Sequence, residues 1–157
     1  MTTKKQSNAP KLKNYLSSSP ESAIFEAIRK TLAGAGAKRV VFDYDDDGRA
    51  TAIEFIIEVG KERLAFRLPA RIEQATPLVT AARKAARQGT TPDQVYRTVW
   101  ATIRDWLDAQ MALIQIGASR TEEVFLPYLL VEGNKTFFDE FAERRALPPP
   151  RYVIKEE

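Results

Sequence analysis

The chain has 157 residues, with 24 lysines and arginines against 21 acids, a formal net charge of +3, and neither cysteine nor histidine. That length is one domain by the usual measure, able to bury about two-thirds of its unfolded surface. The two missing residue types exclude thiol nucleophiles, disulfides, cysteine or histidine metal sites, and histidine acid–base catalysis.

Residues 1–19 are polar and dotted with Lys4, Lys5, Lys11 and Lys13. They read as a disordered tail, either solubilising or an arm for nucleic acid or a partner. From Ser19, Pro20 and Glu21 a helix is predicted, with Ile24, Phe25, Ile28 and Leu32 facing inward and Gly34 and Gly36 stopping it.

Three strands follow, and their register can be counted from their turns. A two-residue turn at Gly60–Lys61 sets Val59 opposite Glu62, Ile57 opposite Leu64, Phe55 opposite Phe66 and Ile53 opposite Leu68. The alternate positions pair Glu58 with Arg63 and Glu54 with Arg67, so one face is apolar and the other carries opposite charges. A turn at Asp47–Gly48 pairs Phe42 with Ile53 and Val40 with Phe55, on the same apolar side.

The stretch Asp43 to Glu54 also matches a calcium-loop spacing, with Asp43, Asp45, Asp47 and Glu54 as acidic ligands and Gly48 at the bend. Such a loop lies between helices, whereas both flanks here alternate like strands, and Ala50 stands where a larger aliphatic is usual. An acidic hairpin turn accounts for the same residues, with Glu54 facing Arg67.

After Pro69 the sequence turns basic. Leu78, Val79, Ala82 and Ala86 give a modest helical stripe, with Arg83, Lys84 and Arg87 expected off it. Between Lys61 and Arg104 there are nine bases and three acids, whereas from Asp105 onward there are ten acids and six bases. This polarity fits a basic surface for phosphates, with Arg71, Arg83, Lys84 and Arg87 as its residues. A solvated helix face is the alternative reading.

From Thr91 to Gly117 a single long helix is predicted. Thr91 caps it, Pro92 suits its first position, Gln94 completes a capping box, and Gly117 ends it. Val95, Val99, Ile103, Trp106, Gln110 and Ile114 recur at helical spacing, and a second row, Tyr96, Trp100, Leu107 and Met111, widens the apolar stripe. At 1.5 Å per residue this rod spans roughly 37 Å. It reads as the spine of the core or as part of a subunit interface, and its wide stripe predicts self-association.

Ser119 and Glu122 suggest a capping box before a short helix that Pro127 kinks, with a second helical turn ending near Gly133–Asn134. Thr136 caps a last helix carrying Phe137, Phe138 and Phe141, expected to pack on the long helix, with a docking surface as the alternative. Pro148, Pro149 and Pro150 force an extended stretch, and Arg151 to Glu157 can add a strand to a sheet edge or partner.

The predicted fold is α+β: a three-stranded antiparallel meander packed against helices, in the order α-β-β-β-α-α(long)-α-α. The domain spans residues 20–146, between the polar tail and a proline-led tail from 147 to 157. The stretches Phe66 to Glu73 (FRLPARIE), DWLDAQ within the long helix, and EVFLPY from Glu123 resemble an uncharacterised family of small tailed-phage and prophage proteins. The resemblance covers most of residues 38–141. It implies origin and domain extent and assigns no active site.

Two functions are open. One is a non-enzymatic phage-type accessory protein that binds DNA or RNA through residues 61–104. The helix–three-strand–helix order resembles a double-stranded-RNA-binding domain, but Thr76-Pro77-Leu78-Val79 lacks the lysine-rich start of that domain's second helix. The other is a protein-binding module, or inhibitor of a host protein, that uses the aromatic helices or the acidic C-terminal half. No carboxylate is set beside a nucleophile or base, so no enzyme and no cofactor are expected. No apolar run reaches the roughly eighteen residues of a membrane span, and the cytoplasm of a host cell is the expected location.

Overall fold

Gly60 and Lys61 close the tightest turn of the sheet, and the strands are laid out from it. The structure, a computed structural model, describes residues 12–144. Gly60 adopts φ +62°, a left-handed angle that glycine takes without steric cost. Strands β2 (Ala50–Val59) and β3 (Glu62–Pro69) flank it in the predicted register, Val59 opposite Glu62 and Phe55 opposite Phe66. Strand β1 (Ala37–Tyr44) pairs along the other side of β2, with Phe42 opposite Ile53 and Val40 opposite Phe55. Phe42, Ile53, Phe55, Ile57, Phe66 and Leu68 are all buried, so the alternation identified the inward face correctly.

Helices α1 (Glu21–Gly34) and α3 (Pro92–Gln115) cover that face. Helix α1 buries Ile24, Phe25, Ile28 and Leu32, as its spacing predicts. Helix α3 runs unbroken for 24 residues behind a complete capping box: the Gln94 N–H reaches Thr91 Oγ1 at 3.3 Å and the Thr91 N–H reaches Gln94 Oε1 at 2.7 Å. Trp100 is fully enclosed, set edge-on to Phe25 at 5.0 Å and Phe42 at 5.5 Å, while Phe25 stacks on Phe42 at 4.3 Å. Aromatic pairs of this kind add roughly 0.5–1.5 kcal/mol each beyond their buried area. Of the two predicted rows, Tyr96–Trp100–Leu107–Met111 is the buried one; Val99, Ile103, Trp106 and Ile114 lie half-buried beside it.

The β1–β2 turn departs from the two-residue form predicted at Asp47–Gly48. The Asp45 N–H bonds the Arg49 carbonyl at 2.9 Å, closing a wider loop, and the pairing slips by one residue between Asp43 and Tyr44. A bulge of this kind releases backbone groups from the ladder. Here the Ala50 N–H donates to Tyr96 Oη at 2.9 Å, and Trp100 Nε1–H donates to the Ala50 carbonyl at 3.3 Å. The long helix is thereby bonded to the hairpin inside the core. Tyr96 Oη also donates to Glu21 Oε1 at 3.2 Å, joining α1 to the same lock.

Helix α2 (Ile72–Ala85) lies along α3 with its inward face rotated from the predicted stripe. Val79 and Arg83 are buried on it, whereas Leu78 is 66% exposed. Residues 12–19, expected to be a free tail, are docked instead. Asn14 Nδ2 donates to Asp105 Oδ2 at 2.9 Å, and Thr98 Oγ1 donates to the Asn14 carbonyl at 3.3 Å. The earlier lysines of that tail, Pro148 to Pro150, and the strand expected from Arg151 to Glu157 lie outside the described residues.

Beyond α3, helix α4 (Thr121–Phe125) starts one residue later than the Ser119–Glu122 pairing predicted, with Glu123 accepting from the Arg120 N–H at 3.3 Å. Pro127 sits in a tight helical turn, Leu126–Tyr128. The helical turn expected next is instead a small hairpin, β4 (Leu130–Glu132) and β5 (Lys135–Thr136), with Gly133 at φ +58° in its bend. Helix α5 (Phe137–Arg144) follows directly.

Candidate functional site

The acidic loop spends its carboxylates on the fold. The Asp43 and Glu54 side chains both accept from the Arg67 guanidinium, the latter at 2.6 Å, and Arg67 is only partly exposed. Burial by itself lowers the Arg67 pKa, but the bonds and charges of the two carboxylates outweigh it and hold the group raised. Asp45 Oδ1 accepts from the Asp47 and Arg49 N–H groups at 3.0 and 2.9 Å, an aspartate-stabilised turn. Asp43, Asp45, Asp47 and Glu54 are therefore not gathered as a ligand set. Among the described residues no group of three or more carboxylates is placed to hold a metal ion.

The basic segment is likewise dispersed by folding. Arg83, predicted on an exposed face with Arg87, is 6% exposed. Its Nε donates to the Gly89 carbonyl and its Nη1 to the Tyr15 carbonyl, both at 2.8 Å, pinning residues 12–19 and the α2–α3 loop to one guanidinium. The physical reason is position: Arg83 falls four residues after Val79, on the inward side, where the cover is backbone carbonyls rather than apolar side chains. Arg63 pairs with Glu58 at 3.1 Å, and Arg104 with Asp105 at 3.0 Å. Arg97 Nε lies 2.9 Å from Asp93, too poorly aligned to count as a hydrogen bond, so this pair is a charge contact only. Arg71 is exposed at the start of α2 and leans over the Phe138 ring, 5.9 Å from its centre. Lys84 and Arg87 are exposed at the other end of that helix, about 20 Å away along its axis. The four predicted residues do not form one surface.

What folding does assemble is apolar. The unit from α4 to α5 is fastened to the body by Phe125, fully buried between Phe55 at 5.3 Å, Phe66 at 5.6 Å and Trp106 at 5.7 Å. Trp106 meets Tyr128 edge-on at 5.8 Å, and Leu129 bridges to Phe66 at the edge of β3. The rotation of α5 is then fixed by a cap. Thr136 is buried; its N–H and hydroxyl donate to the Asp139 carboxylate at 3.0 and 2.9 Å, and the Asp139 N–H returns to Thr136 Oγ1 at 3.2 Å. These bonds, backbone first, hold the Asp139 carboxyl below its ordinary pKa.

With α5 held so, its aromatic row faces outward rather than onto α3. Leu126, Val131, Phe137 and Phe138 are 43–45% exposed, while Phe25, Phe42, Phe55, Phe66 and Phe125 are all buried. A groove of about 440 Å³ lies between hairpin and helix, lined by Val131, Glu132, Phe137, Glu140, Phe141 and Arg144. Its lining is mostly apolar surface; of its charged residues, Arg144 pairs with Glu140 at 2.9 Å. The stretch Arg120 to Arg144 holds six acids against three bases, so the surroundings are negative as well. The sequence signal that locates this surface is Gly133-Asn134 between Val131 and Thr136, a two-residue hairpin bend between β-prone residues.

The long helix finds its neighbours within the chain. Helices α1 and α2, the sheet and α4 pack on its apolar side, residues 12–19 bond its polar Thr98 and Asp105, and Val99, Ile103, Trp106 and Ile114 stay half-buried. Among the described residues no helix is long and apolar enough to cross a membrane. Comparison with protein families, with curated proteins and with solved structures finds no match to this chain.

Proposed function

We propose that this chain is a protein-binding module whose docking surface is the groove between the β4–β5 hairpin and α5. The occupant that suits it is a short apolar peptide segment flanked by basic residues. The single observation that carries the reading is the exposure of Phe137 and Val131 in the groove of a protein that buries five of its eight phenylalanines. Aromatic side chains on a capped, rigid helix lose little conformational freedom on contact, which makes them effective anchors. Glu132, without an ion pair among the described residues, favours a cationic flank on the ligand, whereas Glu140 is already paired with Arg144. In the phage setting that the sequence resemblance implies, the partner is a host or phage protein met in the cytoplasm, and no step of chemistry is required of the module itself.

The test is a binding titration of short apolar peptides, with basic or acidic flanks, against the parent protein and Phe137→Ser. Basic-flanked peptides should bind the parent at least tenfold better than acidic-flanked ones, and Phe137→Ser should lose them. Equal binding of both peptide sets, or no effect of the serine, would sink the proposal.

The nucleic-acid reading draws on Lys84 and Arg87, exposed at the end of α2 without an ion pair among the described residues. It forecasts something different. The double change Lys84→Glu with Arg87→Glu should abolish retention on DNA or RNA in a gel-shift series at stepped salt, starting near about 50 mM. A parent protein that is not retained even there removes this reading.

A further inference from the structure

The outer edge of β1 carries a pattern that is its own complement. The register slips at its two ends skip Lys38 on β1 and Thr51 on β2, so β1 itself runs regularly from Arg39 to Tyr44. The Asp45 N–H bonds the Arg49 carbonyl at 2.9 Å, and the Thr51 hydroxyl reaches the Asp43 carbonyl at 3.4 Å. Odd-numbered residues thus turn their backbone groups toward β2, and alternation turns those of Val40 and Phe42 outward. Among the described residues no strand lies along that edge. Such a row is a template for another strand. We propose that this edge joins a second copy of the chain, antiparallel about a two-fold axis at Val41, independently of the groove by α5.

Backbone parity and charge together select this register. Pairing Val41 with itself sets Val40 opposite the partner's Phe42, so both N–H···O bonds of that pair and of its symmetry mate can close. On the open face of the sheet Arg39 then comes opposite the partner's Asp43. Arg39 is exposed and in no ion pair among the described residues, whereas Asp43 and Glu54 share the single Arg67. One cation lacks a carboxylate, one cluster holds an excess of negative charge, and the axis brings each to the other. Moving the axis to Val40 or Phe42 keeps the backbone match but sets a charged side chain against Val41. An axis between two residues mates outward groups with inward ones. Glu58 and Arg63, farther along the face, pair with each other at 3.1 Å and take no part.

The covered face admits the same axis. Thr31 bonds Asp108 on the α3 flank of α1, while Phe25 and Arg29 lie over Phe42 on the other flank. The two α1 helices therefore come side by side above the joined strands, along an open hollow lined by Ser22, Phe25, Glu26 and Arg29. Glu21 also borders it and is already bonded to Tyr96. Lys38, at the start of β1, adds a cation to match that second acid. Two three-stranded sheets become one continuous sheet.

The absence of cysteine makes the test direct. Val41→Cys places a thiol on the axis, in a non-bonded pair whose Cα atoms lie about 4.5 Å apart, within disulfide reach. Under mild oxidation it should form a covalent dimer at least tenfold faster than Ala65→Cys. Ala65 lies on β3 of the same face, and its copy would be more than about 20 Å away. Equal rates, or no covalent dimer, overturn the proposal. Sedimentation provides the second arm, with the parent expected as a dimer at about 100 μM. Arg39→Glu and Asp43→Arg should each dissociate at least tenfold more readily, and their mixture should recover a dimer, because it again sets opposite charges face to face. A monomeric parent overturns the pairing, and a mixture no better associated than either variant alone overturns the register. The thiol comparison decides the pairing even if Asp43→Arg, which loses its bond to Arg67, fails to fold.

Discussion

The phenylalanines of the meander and those of α5 are the same side chain put to opposite uses. Phe42, Phe55 and Phe66 project from a sheet that α1, α3 and α4 cover, and each is enclosed by other rings. Phe137 and Phe138 project from a helix whose buried contacts are made through Thr136 and the hairpin, and both stay nearly half exposed, with only the Arg71 guanidinium set over the Phe138 ring. Residue type is alike in the two regions. The difference lies in whether another element is packed over the row, so an aromatic row in a sequence is evidence of a surface only after its covers have been counted.

The largest expected effect lies on the covered side. Trp100→Ala removes a ring enclosed by Phe25 and Phe42 and the bond to the Ala50 carbonyl, and should cost about 3–5 kcal/mol in urea unfolding. Phe137→Ala, on the open side, should cost less than about 1 kcal/mol. Similar losses for the two would erase the contrast between the regions.

A smaller effect separates Arg83 from its neighbour. Arg83→Met keeps the apolar stem but leaves the Gly89 and Tyr15 carbonyls without their shared donor, an expected loss of about 2–3 kcal/mol. Lys84→Met should stay within about 0.5 kcal/mol. A reversed order would return Arg83 to the surface and restore the basic face.

The smallest effect is one of pH. Burial, together with the charge of Glu21 and against the bond from the Ala50 N–H, pushes the Tyr96 phenol up to about 12. A raised acid keeps its proton longer in the folded state than in the unfolded one. Its contribution is therefore complete below the ordinary value of 10.0 and is lost as pH rises from there toward about 12. Tyr96→Phe should lower neutral-pH stability by about 1–2 kcal/mol and flatten that alkaline loss. An unchanged slope between pH 10 and 12 would show that the phenol titrates as if exposed.

Much of this was legible in the residues because it was local or counted from a local feature. The glycine turn at Gly60 fixed the β2–β3 register, and Thr91, Pro92 and Gln94 fixed the start of α3. Helix periodicity found the buried row Tyr96–Trp100–Leu107–Met111, and Pro127 marked the break that follows α4. The acidic hairpin turn with Glu54 facing Arg67 was read correctly, whereas Arg83 and the Phe137–Phe141 row were not. The spacing of each is compatible with two environments, and spacing carries no information about the opposite wall.

Sequence alone determined the α+β class, the sheet register, the inward face of the meander and the span of the long helix, since hydrogen-bonding geometry and side-chain period act between near neighbours. Tertiary structure decided the rest. It turned Arg83 into an internal tie because residues 12–19 came to lie across α2 and α3, and it added Asp43 to the predicted Glu54–Arg67 pair because three strands met side by side. It also left the α5 aromatics uncovered because the hairpin and the Thr136 cap turned that helix outward. Burial is a property of what arrives from elsewhere in the chain, and that is settled only when the elements pack.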